Sequence, residues 1–319
     1  TAFRWIDCAN RIVITANQRG DADAGGHLTS SKDAGSNDAS DGASNLMLRI
    51  ASSAVLAPLV LASAYVGGWV FFIVCAAAAA GILWEWTRLI AKSADARVLL
   101  PGLAALLLAL VLTGLGQPVG AVGLITIGAA LAGGLMAVWP HRYPAPNPAF
   151  WAAGGVIYAG IAFLGPALLR RDPAWGFIAV LFVAVTVWST DIFAYAVGRA
   201  IGGPLLWPRV TPKKTWAGAL GGLAGGVAAG TLVAYASGTG KLAAIGLIAL
   251  VLSVMTQAGD LLESAVKRCF GAKDASRLIP GHGGLMDRLD GFLVAALAAL
   301  VIGILHQGTD APGQGLLVW

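Results

Sequence analysis

Along most of the chain, long apolar runs alternate with short polar turns. Nine runs stand out from residue 50 onward: 50–66, 69–86, 98–115, 119–139, 150–169, 175–197, 216–236, 242–258 and 292–305. Several approach the roughly 20 residues a helix needs to cross a bilayer. None has the polar/apolar alternation of a membrane β-barrel strand. Gly and Ala are frequent in them, which suits close helix–helix approach in lipid. The pattern predicts an all-α, polytopic integral membrane protein with eight or nine transmembrane helices, the first and last runs being the weakest.

The polar remainder divides the chain into three parts. Residues 1–46 hold no apolar run of useful length, and 20–45 are rich in Gly, Ser, Asp and Ala. Such a segment cannot bury enough surface to order itself. It reads as a disordered extension, and Met47, the first methionine, is the expected native start. The stretch after Met47 also resembles a signal peptide, but a retained first helix fits the charge pattern better. Residues 47–180 form a chemically quiet group of helices. There Glu85 reads as an interfacial residue between Trp84 and Trp86, and Trp139, Trp151 and Trp175 read as belt residues. Residues 181–319 carry the polar clusters and are the expected catalytic region.

Charge is scarce: 12% of residues are charged against 57% hydrophobic, and mean hydropathy is +0.76. The net charge of +5 combines −2 for residues 1–46 with +7 for the rest. A basic balance could signal nucleic-acid binding, but its distribution points to topology. With Arg49 in the cytoplasm and nine alternating spans, 14 of the 17 cations after residue 46 lie inside. Only Arg170, Arg171 and Lys241 fall outside, as the positive-inside rule expects. Both basic polar loops then face the cytoplasm. The three cysteines are scattered without zinc-ligand spacing.

Three polar constellations remain. Asp191, Tyr195 and Arg199, at i, i+4 and i+8, line one face at the end of the sixth run. Their bland reading is a stripe that stabilises the helix end; a carboxylate at membrane depth argues for more. Thr211-Pro-Lys213-Lys214-Thr215-Trp216 is a basic loop whose lysines and hydroxyls could hold phosphate oxygens or anchor at lipid headgroups. The third spans Asp260, Glu263, Ser264 and Lys267, spaced as one helical stripe, then a Gly-rich turn around His282, then Asp287, Arg288 and Asp290. Acidic pairs on two helices joined by a tight loop could gather oxygen ligands for magnesium, which favours a few carboxylates plus substrate phosphates. Lys267, Arg268, Lys273, Arg277 and Arg288 would grip those phosphates, and His282 would contact phosphate, act as an acid or simply occupy the loop. Phosphoryl or nucleotidyl transfer follows. No Walker A loop is present.

The run Ser264-x-Val266-Lys267-Arg268-x4-Lys273-Asp274-x-Ser276-x2-Ile279-Pro280-x-His282-Gly283-Gly284-Leu285-x-Asp287-Arg288-Leu289-Asp290 resembles the full signature of phosphatidate cytidylyltransferases (CDP-diacylglycerol synthases). The Asp191–Arg199 stretch and the Pro-Lys-Lys-Thr-Trp loop are similar to that family's other polar segments. Ala217 departs from it, since the family often has Glu there. The resemblance implies transfer of CMP from CTP to phosphatidic acid, magnesium-dependent, with potassium as an accompanying ion. It implies Asp260 and Asp287 as principal metal ligands with Glu263 and Asp290 nearby. Lys267, Arg268 and Lys273 then carry triphosphate charge, while Lys213 and Lys214 meet phosphatidate or CTP. The expected catalytic set is Asp260, Asp287, Asp290, Lys267 and Arg268. Ser264, Lys273, His282, Arg288, Asp191, Tyr195 and Arg199 join Lys213 and Lys214 in binding substrate. Partners are CTP, phosphatidic acid and membrane lipids, with no nucleic acid and a homodimer left open. The expected location is the inner (plasma) membrane, with the site facing the cytoplasm. The competing readings are a cytidylyltransferase for another lipid phosphate and an ion-coupled transporter, which would leave the dense cationic loop without a purpose.

Overall fold

The computed structural model describes residues 55–139, 147–208, 210–272, 275–276 and 283–319. The apolar runs form helices: α1 (Val55–Val66), α2 (Gly68–Ala91), α3 (Ala96–Gly114), α4 (Pro118–Val138), α5 (Pro148–Arg170), α6 (Gly176–Ile201), α7 (Trp216–Ala236), α8 (Leu242–Cys269), α9 (Met286–Gln307) and the short α10 (Pro312–Leu317). Helices α2–α9 are each long and apolar enough to cross a membrane. Large side chains such as Leu107, Val119, Ile127, Leu131, Leu232 and Leu305 remain on the outer surface, as lipid-facing helices require. The protein is a multi-pass, all-α membrane protein. Of the nine expected spans, eight stand as full-length helices; the first is described only as Val55–Val66, and residues 1–54 lie outside the described part.

The segment between α6 and α7 differs from the expectation. The basic segment at 211–215 is a strand, not a loop. β1 (Leu205–Trp207) pairs antiparallel with β2 (Thr211–Thr215), Leu205 opposite Thr215 and Trp207 opposite Thr211, with an irregular register between them. Thr211 and Thr215 favour extended backbone, and Gly202 and Gly203 turn the chain out of α6 with φ of 66° and 94°. At the end of β2 the Thr215 hydroxyl accepts a hydrogen bond from Gly218 N–H at 3.1 Å. That N-cap uses a hydroxyl expected to hold phosphate.

Helix α5 is the central element: 72% of its most apolar window is buried, against 33–44% for the other spans. Helix α7 lies flush on α6 through Gly218, Gly222, Gly226 and Gly230, one per turn on a single buried face. A Cβ at Gly218 would sit 2.7 Å from Ala194 O, and one at Gly222 2.8 Å from Thr190 O. Without a hydrophobic drive in lipid, such backbone contact is what association rests on. Near this seam Thr190 Oγ1 and Ser253 Oγ share a buried 2.7 Å hydrogen bond that ties α6 to α8. At the other end of the bundle, α10 is fastened by Gln314 N–H donating to Asp172 Oδ2 at 2.7 Å.

Candidate functional site

The polar stripe of α8 and the acidic start of α9 meet because two glycines let the helices touch. A Cβ at Gly259 would lie 2.6 Å from Asp290 O, and one at Gly291 2.8 Å from Thr256 Cγ2. These glycines adjoin Asp260 and Asp290, so the close crossing carries both acids to one place. Lys267 Nζ then stands between two carboxylates, 2.5 Å from Glu263 Oε2 and 2.6 Å from Asp287 Oδ1. Asp287 also accepts from the backbone N–H of Ala275 at 3.0 Å and of Gly284 at 2.9 Å. Glu263 is buried; its Oε2 faces Lys267 Nζ, and its Oε1 lacks a hydrogen-bond partner among the described residues. Lys267 supplies its countercharge.

Strand β2 brings the second constellation in. Successive strand residues point to opposite faces, and the two lysines separate accordingly. Lys214 forms an ion pair with Asp260, while Lys213 is exposed. Burial lowers the pKa of the Lys214 ammonium, and the negative charges of Asp290, Asp191 and Glu263 act in the opposite direction. Asp191 thus belongs to the same electrostatic cluster. Its helical stripe does not continue inward: steps of four residues drift by about 40° each around a helix. Tyr195 is 69% exposed and accepts a hydrogen bond from Arg199 Nη1 at 3.2 Å on the outer face. Ser264 and Arg268 are half-buried beside Lys267, and Arg288 is exposed. Lys273, Arg277 and His282 lie outside the described residues.

Among the described residues no three His, Cys, Asp or Glu side chains are grouped to enclose a metal ion by themselves. Magnesium does not need such a cage, since it commonly binds one or two carboxylates and completes its shell with water and substrate phosphate. The unpartnered Oε1 of Glu263, and ammonium groups placed against Asp260, Glu263 Oε2 and Asp287, mark positions where positive charge is already favoured. The donor set fits the ion on those terms.

Glu85, read from sequence as an interfacial residue, is fully buried (0% exposed). Its Oε1 accepts from Ser276 Oγ at 2.6 Å and Leu285 N–H at 2.8 Å; its Oε2 accepts from Met286 N–H at 2.7 Å. Trp86 and Trp151 are likewise not membrane-belt residues. Trp86 Nε1 donates to Trp151 O at 2.9 Å, Trp86 stacks on Tyr158, and Trp151 meets Phe270 edge-on. A cavity of about 130 Å³ lies among Trp86, Trp151, Tyr158, Leu262 and Val266, with Glu263 also in its lining. The one sequence signal for Glu85 was a carboxylate within an apolar helix. Its partners are about 190 to 200 residues away in the chain.

Residues 47–305 match the family described as the cytidylyltransferase family. The chain is 42% identical over 272 residues to the phosphatidate cytidylyltransferase of Brucella suis biovar 1 (strain 1330), covering 84% of this chain and 97% of that protein. It is 42% identical over 270 residues to the same-named protein of Brucella abortus biovar 1 (strain 9-941), covering 84% and 96%. The phosphatidate cytidylyltransferase of Bacillus subtilis (strain 168) is 34% identical over 138 residues, 43% of this chain and 51% of that one. With the matched region embracing the β-hairpin lysines, the acidic pairs of α8 and α9 and the Glu85 clamp, the chain belongs to the cytidylyltransferase family.

Proposed function

We propose that this protein transfers CMP from CTP to phosphatidic acid, forming CDP-diacylglycerol and pyrophosphate. The observation that carries this reading is the meeting of Lys214–Asp260 and Glu263–Lys267–Asp287 at one end of a helical bundle, in a chain 42% identical to named phosphatidate cytidylyltransferases. A phosphate oxygen of phosphatidic acid attacks the α-phosphorus of CTP. The bond from that phosphorus to the bridging oxygen of the β-phosphate breaks, and pyrophosphate leaves with the electron pair. A phosphate monoester has its second pKa near 6, so the attacking oxygen is deprotonated at neutral pH. The site must therefore position two anions and stabilise charge rather than extract a proton.

Lys214, paired with Asp260, and Lys267, paired with Glu263 and Asp287, supply that charge, and Arg268 and Arg288 adjoin Lys267 and Asp287 in sequence. Asp260 and Asp287, with Glu263 and Asp290 beside them, would hold magnesium. When bound, that ion polarises phosphoryl oxygens and neutralises charge on the leaving pyrophosphate. The carboxylates also hold the lysines in place. The site is proposed to face the cytoplasm from the plasma membrane, where CTP is dissolved and the lipid phosphate lies at the interface. Positive-inside charge supports that orientation. A substrate panel tests the proposal: with magnesium, CTP and phosphatidic acid should outperform other nucleotides and isoprenoid phosphates by at least tenfold. Equal turnover of an isoprenoid phosphate would reassign the lipid acceptor.

A further inference from the structure

We propose that Glu85, on α2, is a positioning residue for the cytidylyl-transfer site: it fixes the 275–276 segment and the start of α9, which together hold Asp287. The inference rests on the function proposed above, and its starting point is a pair of interleaved clamps. Asp287 accepts from Ala275 N–H and Gly284 N–H. Glu85 accepts from the next residue on each side, Ser276 Oγ and Leu285 N–H, and from Met286 N–H. Each carboxylate therefore ties the 275–276 segment to the start of α9. The two flank one glycine, since a Cβ at Gly284 would lie 2.9 Å from Glu85 Oε2 and 3.0 Å from Asp287 Oδ2.

Everything around Glu85 supports a fixed clamp. It is fully buried, one helical turn after Gly81, where a Cβ would meet Leu285 Cδ2 at 3.0 Å. The small residue lets the start of α9 dock on α2. The first N–H groups of a helix lack partners within it, and a carboxylate there satisfies them and complements the helix dipole. Trp86 locks the same turn of α2 to α5, and Lys92 Nζ donates to Phe270 O at 3.2 Å at the end of α8. Helix α2 thus connects to α5, α8 and α9 beside the acidic cluster. Glu85 makes no described contact with Lys214, Lys267 or Asp260, so it acts through Asp287 rather than on substrate.

The test compares wild type, Glu85→Gln, Glu85→Asp and Ser276→Ala in the purified full chain. Glutamine keeps the size of the side chain but places an NH2 group where a carboxylate oxygen accepts from an N–H. Expected for Glu85→Gln are a kcat at least tenfold lower and a half-saturating magnesium concentration at least fivefold higher. KM for phosphatidic acid should stay within twofold. Hydrogen exchange in a peptide covering 284–290 should quicken, and Mn2+ binding, read by electron paramagnetic resonance, should weaken. Glu85→Asp should recover part of the loss, and Ser276→Ala, which removes one of the three bonds, should shift the same quantities by two- to fivefold. Kinetics within twofold of wild type for Glu85→Gln would overturn the inference. So would a lower kcat with unchanged magnesium dependence and unchanged exchange at 284–290. If Glu85→Gln does not fold, Ser276→Ala decides by the same criteria. If the wild-type chain makes no CDP-diacylglycerol, the activity reading fails, while exchange and Mn2+ binding still judge the clamp.

Discussion

Asp287 already receives Lys267 Nζ and two backbone N–H groups, so its charge and its acceptor capacity are both in use. Asp287→Asn preserves shape but removes the charge that faces Lys267 and turns an NH2 group toward a donor. A hydrogen bond to a charged group contributes about 1.5–3 kcal/mol. Loss of an interaction of that size in the transition state slows turnover by roughly ten- to a hundredfold. The variant is expected to insert and purify normally with activity about a hundredfold down, measured as CDP-diacylglycerol formed per minute. A rate of half the wild type would remove Asp287 from the site. The sequence pattern singled out Asp260 and Lys267 because they share one helical stripe, and Asp287 because it lies with Lys267 in the 264–290 run. Glu85 was missed for the opposite reason. Its partners are set by how α2 docks on α9, and in the linear chain it stands between two tryptophans that suggest the membrane interface.

At the scale of elements, hydrophobic run length located α2–α9 because backbone hydrogen bonding in lipid leaves helices as the simplest solution. The hairpin between α6 and α7 was not legible: it is short, basic and rich in turn residues, so it read as a loop. Its strand character has a functional consequence, since it turns Lys214 toward Asp260 and Lys213 outward. Lys214→Met is therefore expected to reduce turnover at least tenfold, and Lys213→Met by threefold or less, in parallel assays at saturating CTP. Equal losses would show that β2 does not present the two side chains differently. The α6–α7 seam offers a second element-level test. A side chain at Gly222 would collide with Thr190 O and Ala194 Cβ, and overpacking of this kind costs about 1–3 kcal/mol. Gly222→Leu should lower the thermal midpoint in detergent by several degrees. Gly240→Ala, with open space around it, should leave it unchanged.

Across the whole molecule, alternating helices put the ends of α2, α6 and α8 and the starts of α7 and α9 on one side of the bundle. Glu85, Asp191, Lys214, Asp260, Lys267 and Asp287 all lie at those ends. Arg170, Arg171 and Lys241 lie at the opposite end. The proposed orientation follows from this asymmetry and can be checked in cells. In a background with Cys8, Cys75 and Cys269 replaced by serine, Lys241→Cys should react with a membrane-impermeant maleimide in intact spheroplasts. Lys213→Cys should react only after permeabilisation, and the reverse pattern would invert the topology. The N-terminal helices, quiet by sequence, are the frame of the site: α2 supplies Glu85 and Trp86, and α5 is the buried axis against which they pack.

The central claim is that the gathered carboxylates and lysines catalyse transfer of the α-phosphorus of CTP to a lipid phosphate. The most direct measurement uses purified full chain in lipid nanodiscs with phosphatidic acid, magnesium and CTP labelled at either the α- or the γ-phosphate. The account predicts α-label in a chloroform-extractable CDP-diacylglycerol, γ-label released as pyrophosphate in equal amount, and neither product when EDTA removes the magnesium. Absence of α-label from the lipid, or release of γ-label as orthophosphate without lipid labelling, would contradict it.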